Sequence, residues 1–286
     1  MTLIEPVVTA LATEHRQRQI RVGPLLAGAF LALLLLCVIA PSLLARTSPN
    51  LTNPLIALQG PSSSHWFGTD ELGRDMYARV AYGSRLSIVI GLGASLIGVT
   101  GGIVLGLLAA LGGRVADGVL MRLVDVLLAF PGLLLALLVI ALAGPGTVNA
   151  TLAVGIGVVP GYARIIRAQA LVAKRSEYVE AAMALGLPRR TLIARHILPN
   201  TMGPLLVLAT IGIGTTIIAG ASLSFLGLGP QPPTAEWGAM LAEGRDFLSN
   251  AWWMAVFPGI ALTATVVAVT VIGRYFQAIF EGRASA

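Results

Sequence analysis

The sequence predicts an all-α integral membrane protein with six transmembrane helices. Hydrophobic residues make up 56% of the 286 residues and charged residues only 11%, whereas roughly a quarter of the residues in a soluble domain are charged. The apolar residues come in long runs of about 20 residues or more, the length that an α-helix needs to cross the hydrocarbon core of a bilayer. The single cysteine, Cys37, lies inside the first run and indicates packing rather than disulfide or metal chemistry.

The first predicted span extends from Pro24, which suits the first position of a helix, to Ala45. Its apolar core is longer than the ~7–15 residues of a cleaved signal peptide, so we expect an uncleaved anchor. Residues 1–23 before it are predicted to form a cytoplasmic N-terminal tail. Pro131 and Pro258 fall within later spans and predict kinks there. The other five spans are predicted at Leu86–Leu111, Gly118–Leu142, Val148–Ile166, Pro204–Leu226 and Trp252–Ile279.

The distribution of basic residues predicts which side of the membrane each loop occupies. With both termini on one side, the segments on that side hold fourteen Lys and Arg residues and the opposite segments hold five. Since basic residues are enriched in cytoplasmic loops, both termini are expected in the cytoplasm. The same topology accounts for the net charge of +6 without a nucleic-acid partner. The layout then has an external segment at 47–82, a cytoplasmic loop at 167–203 and an external loop at 228–250.

Small residues recur at every fourth position in three of the spans. Such a stripe lets helix backbones approach closely. A compact bundle is the simpler interpretation, and an interface that slides during gating is the alternative. The stripes are Ala94, Gly98, Gly102, Gly106 and Ala110 in the second span, Ala153, Gly157 and Gly161 in the fourth, and Gly212, Thr216, Gly220 and Ser224 in the fifth.

Catalytic chemistry has almost no support in the sequence. No Asp, Glu, Lys or His falls near a predicted bilayer midplane, where a proton- or ion-coupled carrier would usually need one. Lys174 is the only lysine, so the phosphate-binding Gly-x-x-x-x-Gly-Lys-Ser/Thr loop is absent. We therefore assign no catalytic residue and no metal ligand, and we expect the energy for any transport to come from another subunit.

A polar, basic segment from Ser176 to Asn200 interrupts the apolar runs and predicts two short helices. Ser176 is expected to cap the first helix, and Gly186 to end it as a C′ glycine. Pro188 is expected to open the second helix and Pro199 to close it. A short amphipathic helix between spans must pack on lipid or on a partner protein, and its composition leaves both open.

The spacing of Glu180-Ala181-Ala182, Gly186 and Leu198-Pro199 resembles the EAA loop of ATP-binding-cassette importer permeases. In that family the loop is the coupling helix, which docks in a groove of a cytoplasmic ATPase subunit. His196 stands where the family often has isoleucine. The residues that the resemblance and the helix pattern assign to ATPase coupling are Tyr178, Glu180, Ala181, Ala182, Leu185, Gly186, Leu198 and Pro199.

Other motifs are similar to the C-type permeases of dipeptide, oligopeptide and nickel importers. The resemblance covers about residues 62–260 and weakens near the C-terminus, where Gly273-Arg274 replaces the Gly-Asp pattern of the family. The motifs are Phe67 to Asp75 (FGTDELGRD), Arg122 to Asp125 with Phe130-Pro131, Pro160 to Arg164, Ala221 to Gly229, and Trp237 to Arg245.

The resemblance implies a type I ABC importer permease in a prokaryotic inner membrane, with residues 24–286 as one six-span permease domain. The implied partners are a B-type permease subunit, two ATPase subunits that bind ATP and Mg²⁺, an external substrate-binding protein and membrane lipid. Di- or oligopeptides are the expected substrates. The alternatives are an importer of nickel or another small solute, a stand-alone channel or carrier, and a membrane scaffold.

The segment around FGTDELGRD alternates charge and glycine, as a turn followed by a capped helix would. We expect it either to meet the substrate-binding protein or to pack as a lid on the bundle. Trp237 is expected to anchor the second external loop. The candidate residues for docking of the binding protein are Asp70, Glu71, Arg74, Asp75 and Trp237.

Overall fold

The computed structural model describes residues 22–280, which form α-helices joined by turns and short irregular segments. Five helices are long and apolar enough to cross a membrane (α1, α3, α6, α9 and α11), and there are six candidate spans when the bent pair α4–α5 is taken as one broken span. The helices are α1 (Val22–Ile39), α2 (Pro41–Leu44), α3 (Met76–Leu111), α4 (Arg114–Leu128), α5 (Gly132–Ala143), α6 (Thr147–Lys174), α7 (Glu177–Ala184), α8 (Arg189–Leu192), α9 (Leu198–Phe225), α10 (Trp237–Arg245) and α11 (Trp253–Phe280). The predicted all-α membrane fold is confirmed. The predicted tail at 1–23 lies almost entirely outside the described residues.

Helices α3 and α6 lie side by side and run in the same direction. A methyl group added at Gly98 would lie 2.3 Å from Val158, and one added at Gly106 would lie 2.7 Å from Ile166. Two neighbouring spans can be parallel only if the chain between them returns across the bundle. The pair α4–α5 makes this return.

The remaining spans alternate in direction. Arg85, near the start of α3, donates hydrogen bonds to the carbonyl groups of Val38 and Ile39 at the end of α1, so α1 and α3 are antiparallel. A methyl group at Gly214 of α9 would lie 3.3 Å from Val266, whereas one at Gly273 of α11 would meet Ile211, so α9 and α11 are antiparallel too. The described chain therefore begins and ends at one end of the bundle. We call it the basic end, and the opposite end, which holds residues 60–79 and α10, the cluster end.

The small-residue stripe of α3 forms the predicted close helix contact. All five of its residues are buried, and a methyl group at Gly102 would lie 2.3 Å from the Cβ atom of Tyr162. The stripe predicted in α6 does not form a close helix contact along its whole length. A methyl group added at Gly161 would have no atom within 4 Å. At this level α6 presents Tyr162 and Ala163 to α3 instead.

The third predicted span is broken rather than kinked. Helices α4 and α5 meet at 94°, and Pro131 lies at the junction as the N-cap residue of α5. Proline has no N–H and its ring clashes with the preceding turn, so a helix readily ends there. Pro258, by contrast, lies within the uninterrupted helix α11.

The prediction that Pro199 closes a helix is wrong. Helix α8 continues through a π-helical turn at Ile193–Ile197 into α9, and the N–H of Leu198 bonds to the carbonyl of Ile193. The π turn shifts the hydrogen-bond register by one residue, which makes room for the proline ring at the start of α9. Pro188 precedes α8 as its N-cap residue rather than opening it.

Several helices extend beyond the predicted spans. Helix α3 begins at Met76 rather than Leu86, and α6 ends at Lys174 rather than Ile166. The 36 residues of α3 correspond to about 54 Å of helix, well beyond the ~30 Å hydrocarbon core of a bilayer. Hydropathy marks only the part of a helix that is suited to lipid, so it underestimates such helices.

Candidate functional site

Helix α7 is attached to the basic end of the bundle through one face. Val179 and Ala182 are 1% and 7% exposed and belong to a buried apolar cluster with the ends of α3 and α6. The cluster includes Leu111 of α3, Ala173 of α6 and Ile197 of the π turn. The spacing of three residues between Val179 and Ala182 places them on one helix face.

Gly186 ends α7 as predicted. Its φ angle is +75°, its N–H donates to the carbonyl of Met183, and the N–H of Leu187 donates to the carbonyl of Ala182. These two bonds define a Schellman motif, in which a left-handed residue satisfies the last carbonyl groups of a helix. Leu187 then packs on the cluster that contains Ala182. This contact holds the turn after α7 against the bundle.

The outer face of α7 presents apolar side chains. Tyr178 is 45% exposed, Met183 44% and Leu185 81%. A methyl group added at Gly186 would have no atom within 4 Å, so the backbone there is open to a partner. An exposed apolar patch of this kind is typical of a contact site.

Most of the predicted coupling residues lie on or beside this face. Tyr178, Glu180, Ala181, Leu185 and Gly186 are exposed. Leu198 is half-buried and Pro199 exposed at the start of α9.

Ala182 is the exception among the predicted coupling residues, because it faces the bundle. Met183 was not predicted and takes a place on the exposed face. The three-residue spacing of Val179 and Ala182 places both on the inner face of the helix and could have separated Ala182 from Met183. The predicted side-chain cap by Ser176 is also absent, since its hydroxyl group donates to the carbonyl of Ala173.

A second contact ties the loop to α3. The guanidinium group of Arg189, in α8, donates to the carbonyl of Leu111, the last residue of α3. Cationic side chains near the C-terminus of a helix satisfy its free carbonyl groups and interact favourably with its dipole. Helices α7 and α8 are therefore both connected to the end of α3.

At the cluster end, Asp70 organises the FGTDELGRD segment. Its side chain is buried, and its Oδ1 atom accepts hydrogen bonds from the N–H groups of Leu72 and Arg74 at 2.9 and 2.8 Å. Gly73 has a φ angle of +71°, and a methyl group there would lie 1.9 Å from the carbonyl oxygen of Asn53. The turn therefore requires both the aspartate and the glycine.

Two buried arginines connect this turn to α10. Arg74 and Arg79 are 2% and 1% exposed, and both form ion pairs with Asp70 and with Glu243 of α10. The shortest contact to Glu243 is 2.9 Å, from Arg79 Nη2. Burial raises the pKa of the Glu243 carboxyl group, and the guanidinium groups of Arg79 and Arg74 oppose that rise. Buried charges of this kind persist only when they are paired.

The rest of the motif fixes the start of α3. Asp75 caps the helix by accepting a hydrogen bond from the N–H of Ala78 at 2.9 Å, and its other oxygen lies 2.8 Å from Nδ1 of His65. Trp253 Nε1 donates to the carbonyl of Thr69. The predicted turn followed by a capped helix is therefore present.

The residues predicted to dock a binding protein are mostly buried within this network. Asp70, Arg74 and Trp237 are 0%, 2% and 1% exposed, so their observed contacts favour the lid that packs on the bundle. Trp237 Nε1 donates to the carbonyl of Val80. The side chain of Glu71 is 27% exposed and that of Asp75 14%. A docking role for the segment stays a prediction.

Sequence reasoning missed Arg79, Glu243 and Glu236 as parts of the cluster end. Glu236 is 1% exposed, and its carboxylate accepts hydrogen bonds from the N–H groups of Gly238 and Ala239 at the start of α10 and from the hydroxyl of Ser87. Glutamate is not among the preferred N-cap residues, so no local signal pointed to it.

Comparison with known proteins agrees with this architecture. Residues 102–286 match the family model described as binding-protein-dependent transport system inner membrane component. A dipeptide transport system permease protein of Alkalihalophilus pseudofirmus is 40% identical over 95% of this chain and 88% of its own length. A glutathione transport system permease protein of Pectobacterium atrosepticum is 42% identical over 75% of this chain and 71% of its own length.

Solved structures show the same fold at low sequence identity. The MetNI methionine ABC transporter in an inward-facing conformation has a TM-score of 0.58 at 18% identity, over 72% of this chain and 96% of that chain. An amino acid ABC transporter crystallised with histidines has a TM-score of 0.52 at 20% identity, over 72% of this chain and 93% of that chain.

Proposed function

The chain belongs to the family of binding-protein-dependent transport system inner membrane components, and on this premise we propose that it is the C-type permease subunit of an ATP-driven importer of di- or oligopeptides. It forms half of the translocation pathway, with a B-type permease as the other half. The chain itself is not catalytic. Two ATPase subunits bind ATP and Mg²⁺, and an external binding protein delivers the substrate.

The substrate class rests on the relatives. They include permeases named for dipeptides, D,D-dipeptides and glutathione, all of which are peptides or modified peptides. Peptide uptake is therefore the first activity to measure. Import of nickel or another small solute is the alternative, and nickel uptake without peptide uptake would establish it.

The observation that supports the coupling role is that α7 has one face attached to the bundle and one face exposed. One face is held by the buried cluster around Val179 and Ala182, and the other presents Tyr178, Met183 and Leu185 to solvent. We place the basic end in the cytoplasm because of the excess of Lys and Arg there. The exposed face then meets the ATPase subunit, and closure of the ATPase pair on ATP moves α7 together with the ends of α3 and α6.

The cluster end then faces outward, towards the binding protein. Because the charged residues of the FGTDELGRD turn are buried, contact is made by the exposed residues around them. Trp66 and Leu72 are 63% and 45% exposed and are the best candidates, together with the partly exposed Glu71. The buried ion pairs give this surface its shape.

A single substitution on the outer face of α7 tests the proposal. Leu185→Glu places a charge on a residue that is 81% exposed, and the matched control is Leu55→Glu at the cluster end, where Leu55 is 91% exposed. Neither change disturbs a buried contact. We expect Leu185→Glu to abolish co-purification of co-expressed ATPase subunits and dipeptide uptake by cells, while Leu55→Glu retains the ATPase subunits.

Normal ATPase association and uptake by the Leu185→Glu variant, at normal abundance in the membrane, would contradict the proposal. Transport of dipeptide by the purified chain alone in vesicles would instead support the stand-alone carrier.

A further inference from the structure

A groove runs along the last two turns of α9, near the cluster end of the bundle. Its cavity has a volume of about 280 Å³, close to the lower limit of the roughly 300–1,000 Å³ that is usual for small-molecule sites. The wall is apolar apart from one hydroxyl group. The residues that line the groove include Ile218, Ser222, Phe225 and Leu226 of α9, Leu241 of α10 and Leu262 of α11.

Close backbone contacts hold the walls of the groove in place. A methyl group added at Gly238 of α10 would lie 2.3 Å from the carbonyl oxygen of Ala221 in α9, so α10 is packed tightly beside the cavity. On the opposite face of α9, the hydroxyl group of Thr216 donates to the carbonyl of Gly91 in α3 at 2.8 Å. The groove therefore opens away from α3 and is a fixed part of the fold.

A guanidinium group and a carboxylate lie at the rim of the groove. The Cζ atom of Arg245 lies 5.7 Å from the centre of the Phe225 ring, a contact that orients the guanidinium group over the cavity wall. Its Nε atom donates to Oδ1 of Asp246 at 3.1 Å, and the two side chains are 60% and 68% exposed. An exposed pair of this kind contributes little to stability, so both groups can pair with the charges of a ligand instead. Because the bond to Asp246 uses Nε, both Nη groups are available for a bidentate contact with a carboxylate.

Hydroxyl groups continue the same face of α9 towards the basic end. Ser222 donates to the carbonyl of Ile218 at 2.8 Å. Thr215 lies seven residues earlier, on the same helix face, and donates to the carbonyl of Gly212 at 2.7 Å. A hydroxyl oxygen that donates its hydrogen atom still has lone pairs to accept a hydrogen bond. This face therefore offers acceptors for peptide N–H groups over a length of about 10 Å.

We propose that the groove receives the peptide as it enters the translocation pathway. The apolar cavity takes one side chain of the peptide, Arg245 pairs with the terminal carboxylate, and Asp246 pairs with the terminal ammonium group. This inference rests on the proposed function, because it requires a peptide importer whose cluster end faces outward. Neighbouring charges of opposite sign match the two ends of a zwitterion. Acyl chains of lipids would fill the cavity without using the charges, and a nickel ion would be repelled by Arg245.

Protection of a cysteine from labelling tests whether peptide occupies the groove. In the complete transporter with Cys37→Ser, a membrane-impermeant maleimide labels Ser222→Cys in right-side-out vesicles during ATP-driven turnover, with and without the dipeptide Ala-Phe. The matched control is Leu55→Cys, since Leu55 is 91% exposed at the same end. We expect Ala-Phe to slow labelling at position 222 about threefold when two-thirds of the sites are filled, and to leave position 55 unchanged. Adding Arg245→Gln should weaken the protection, which shielding by a docked binding protein would not explain.

Three results would overturn the inference. Labelling of Ser222→Cys by a membrane-permeant maleimide but not by the impermeant one would mean that lipid covers the groove. Labelling in the isolated chain but not in the complex, with or without Ala-Phe, would mean that the partner permease covers it. Equal labelling with and without Ala-Phe, in a transporter that imports Ala-Phe, would mean that the peptide passes elsewhere. Absence of Ala-Phe uptake by the wild-type transporter would instead contradict the proposed function.

Uptake by rim variants tests the charge contact. At a limiting concentration of Ala-Phe, the rate of uptake is proportional to kcat/KM. Loss of a hydrogen bond to a charged group corresponds to about tenfold or more in affinity, so Arg245→Gln should lower this rate about tenfold at normal abundance in the membrane. Arg245→Lys keeps the charge and should restore part of the rate. Arg46→Gln is the matched control, because Arg46 is exposed at the same end. An unchanged rate with Arg245→Gln would refute pairing of Arg245 with the peptide.

Discussion

The two ends of the bundle are built on different principles. At the cluster end, Asp70, Arg74 and Arg79 are buried together, and Glu243 of α10 joins them from a distant part of the sequence. At the basic end, α7 contributes only Val179 and Ala182 to the interior and leaves Leu185 exposed. At the cluster end the charged side chains are paired within the chain itself. At the basic end an apolar surface is left exposed, to which another protein can bind. Substitutions should therefore affect stability most at the cluster end and transport most at the basic end.

The largest loss of stability is expected from Asp70→Asn. This change leaves Arg74 and Arg79 buried with one partner carboxylate fewer, and breaking a buried ion pair costs about 3–5 kcal/mol. Asp246→Asn is the control, because its pair with Arg245 is exposed and contributes about 0–1 kcal/mol. The melting temperature of the purified chain in detergent measures both. Equal shifts would mean that the buried network adds no more than a surface pair.

A smaller but clear difference is expected between two glycines with similar backbone angles. Gly73 and Gly186 have φ angles of +71° and +75°, but a methyl group at Gly73 would lie 1.9 Å from the Asn53 carbonyl oxygen, whereas one at Gly186 meets nothing. Gly186→Ala should cost about 1–2 kcal/mol from the left-handed conformation alone. Gly73→Ala adds steric overlap of about 1–3 kcal/mol. The order of the two melting temperatures checks this, and a larger loss for Gly186→Ala would contradict it.

At the basic end, function should be lost where stability is not. Gly186→Arg carries the same backbone cost of about 1–2 kcal/mol and places a long charged side chain where the ATPase subunit is proposed to approach. We expect normal abundance in the membrane but no ATP-driven dipeptide uptake. Gly186→Asn is the control, since asparagine tolerates the left-handed region and is short. If both variants transport normally, the open side of Gly186 is not a contact.

The smallest effect is expected from Asp125→Asn. Its pair with Arg164 is more than half exposed on both sides, so it should contribute about 0–1 kcal/mol and less in high salt. The Asp117–Arg167 pair is less exposed and forms two hydrogen bonds. Asp117→Asn should therefore lower the melting temperature more than Asp125→Asn does. If Asp125→Asn lowers the melting temperature more than Asp117→Asn does, the contribution of these ion pairs to stability does not follow their burial.

Features encoded by neighbouring residues could be predicted from the sequence. The C′ role of Gly186 follows from a glycine after a short amphipathic run, and the cap by Asp75 from its place before an apolar helix. Hydropathy located the spans, because a helix that crosses lipid must be apolar along about 20 residues. These signals act over a few turns of helix and need no knowledge of the fold.

Features that depend on distant contacts could not be predicted. Arg79 and Glu243 are 164 residues apart in sequence, and nothing local shows that they meet, so the sequence leaves a docking surface and a lid packed on the bundle as alternatives for the charged motif. The 94° bend was underestimated as a kink, since the proline indicates a weak point but not the direction in which α4 packs. The continuation of α8 into α9 depends on a π turn, which has no sequence signature here.

Helix α3 reaches both ends of the bundle. At the cluster end it is capped by Asp75 and carries Arg79 of the buried network, and at the basic end its last carbonyl is bound by Arg189. A helix of about 54 Å behaves as a stiff lever, so a tilt of about 5° at one end displaces the other by about 5 Å. Its start is held by the ion pairs of the cluster end and its last residue is bound by the loop that holds α7, so under the proposed coupling role α3 would turn a small rotation at one end of the bundle into a displacement at the other.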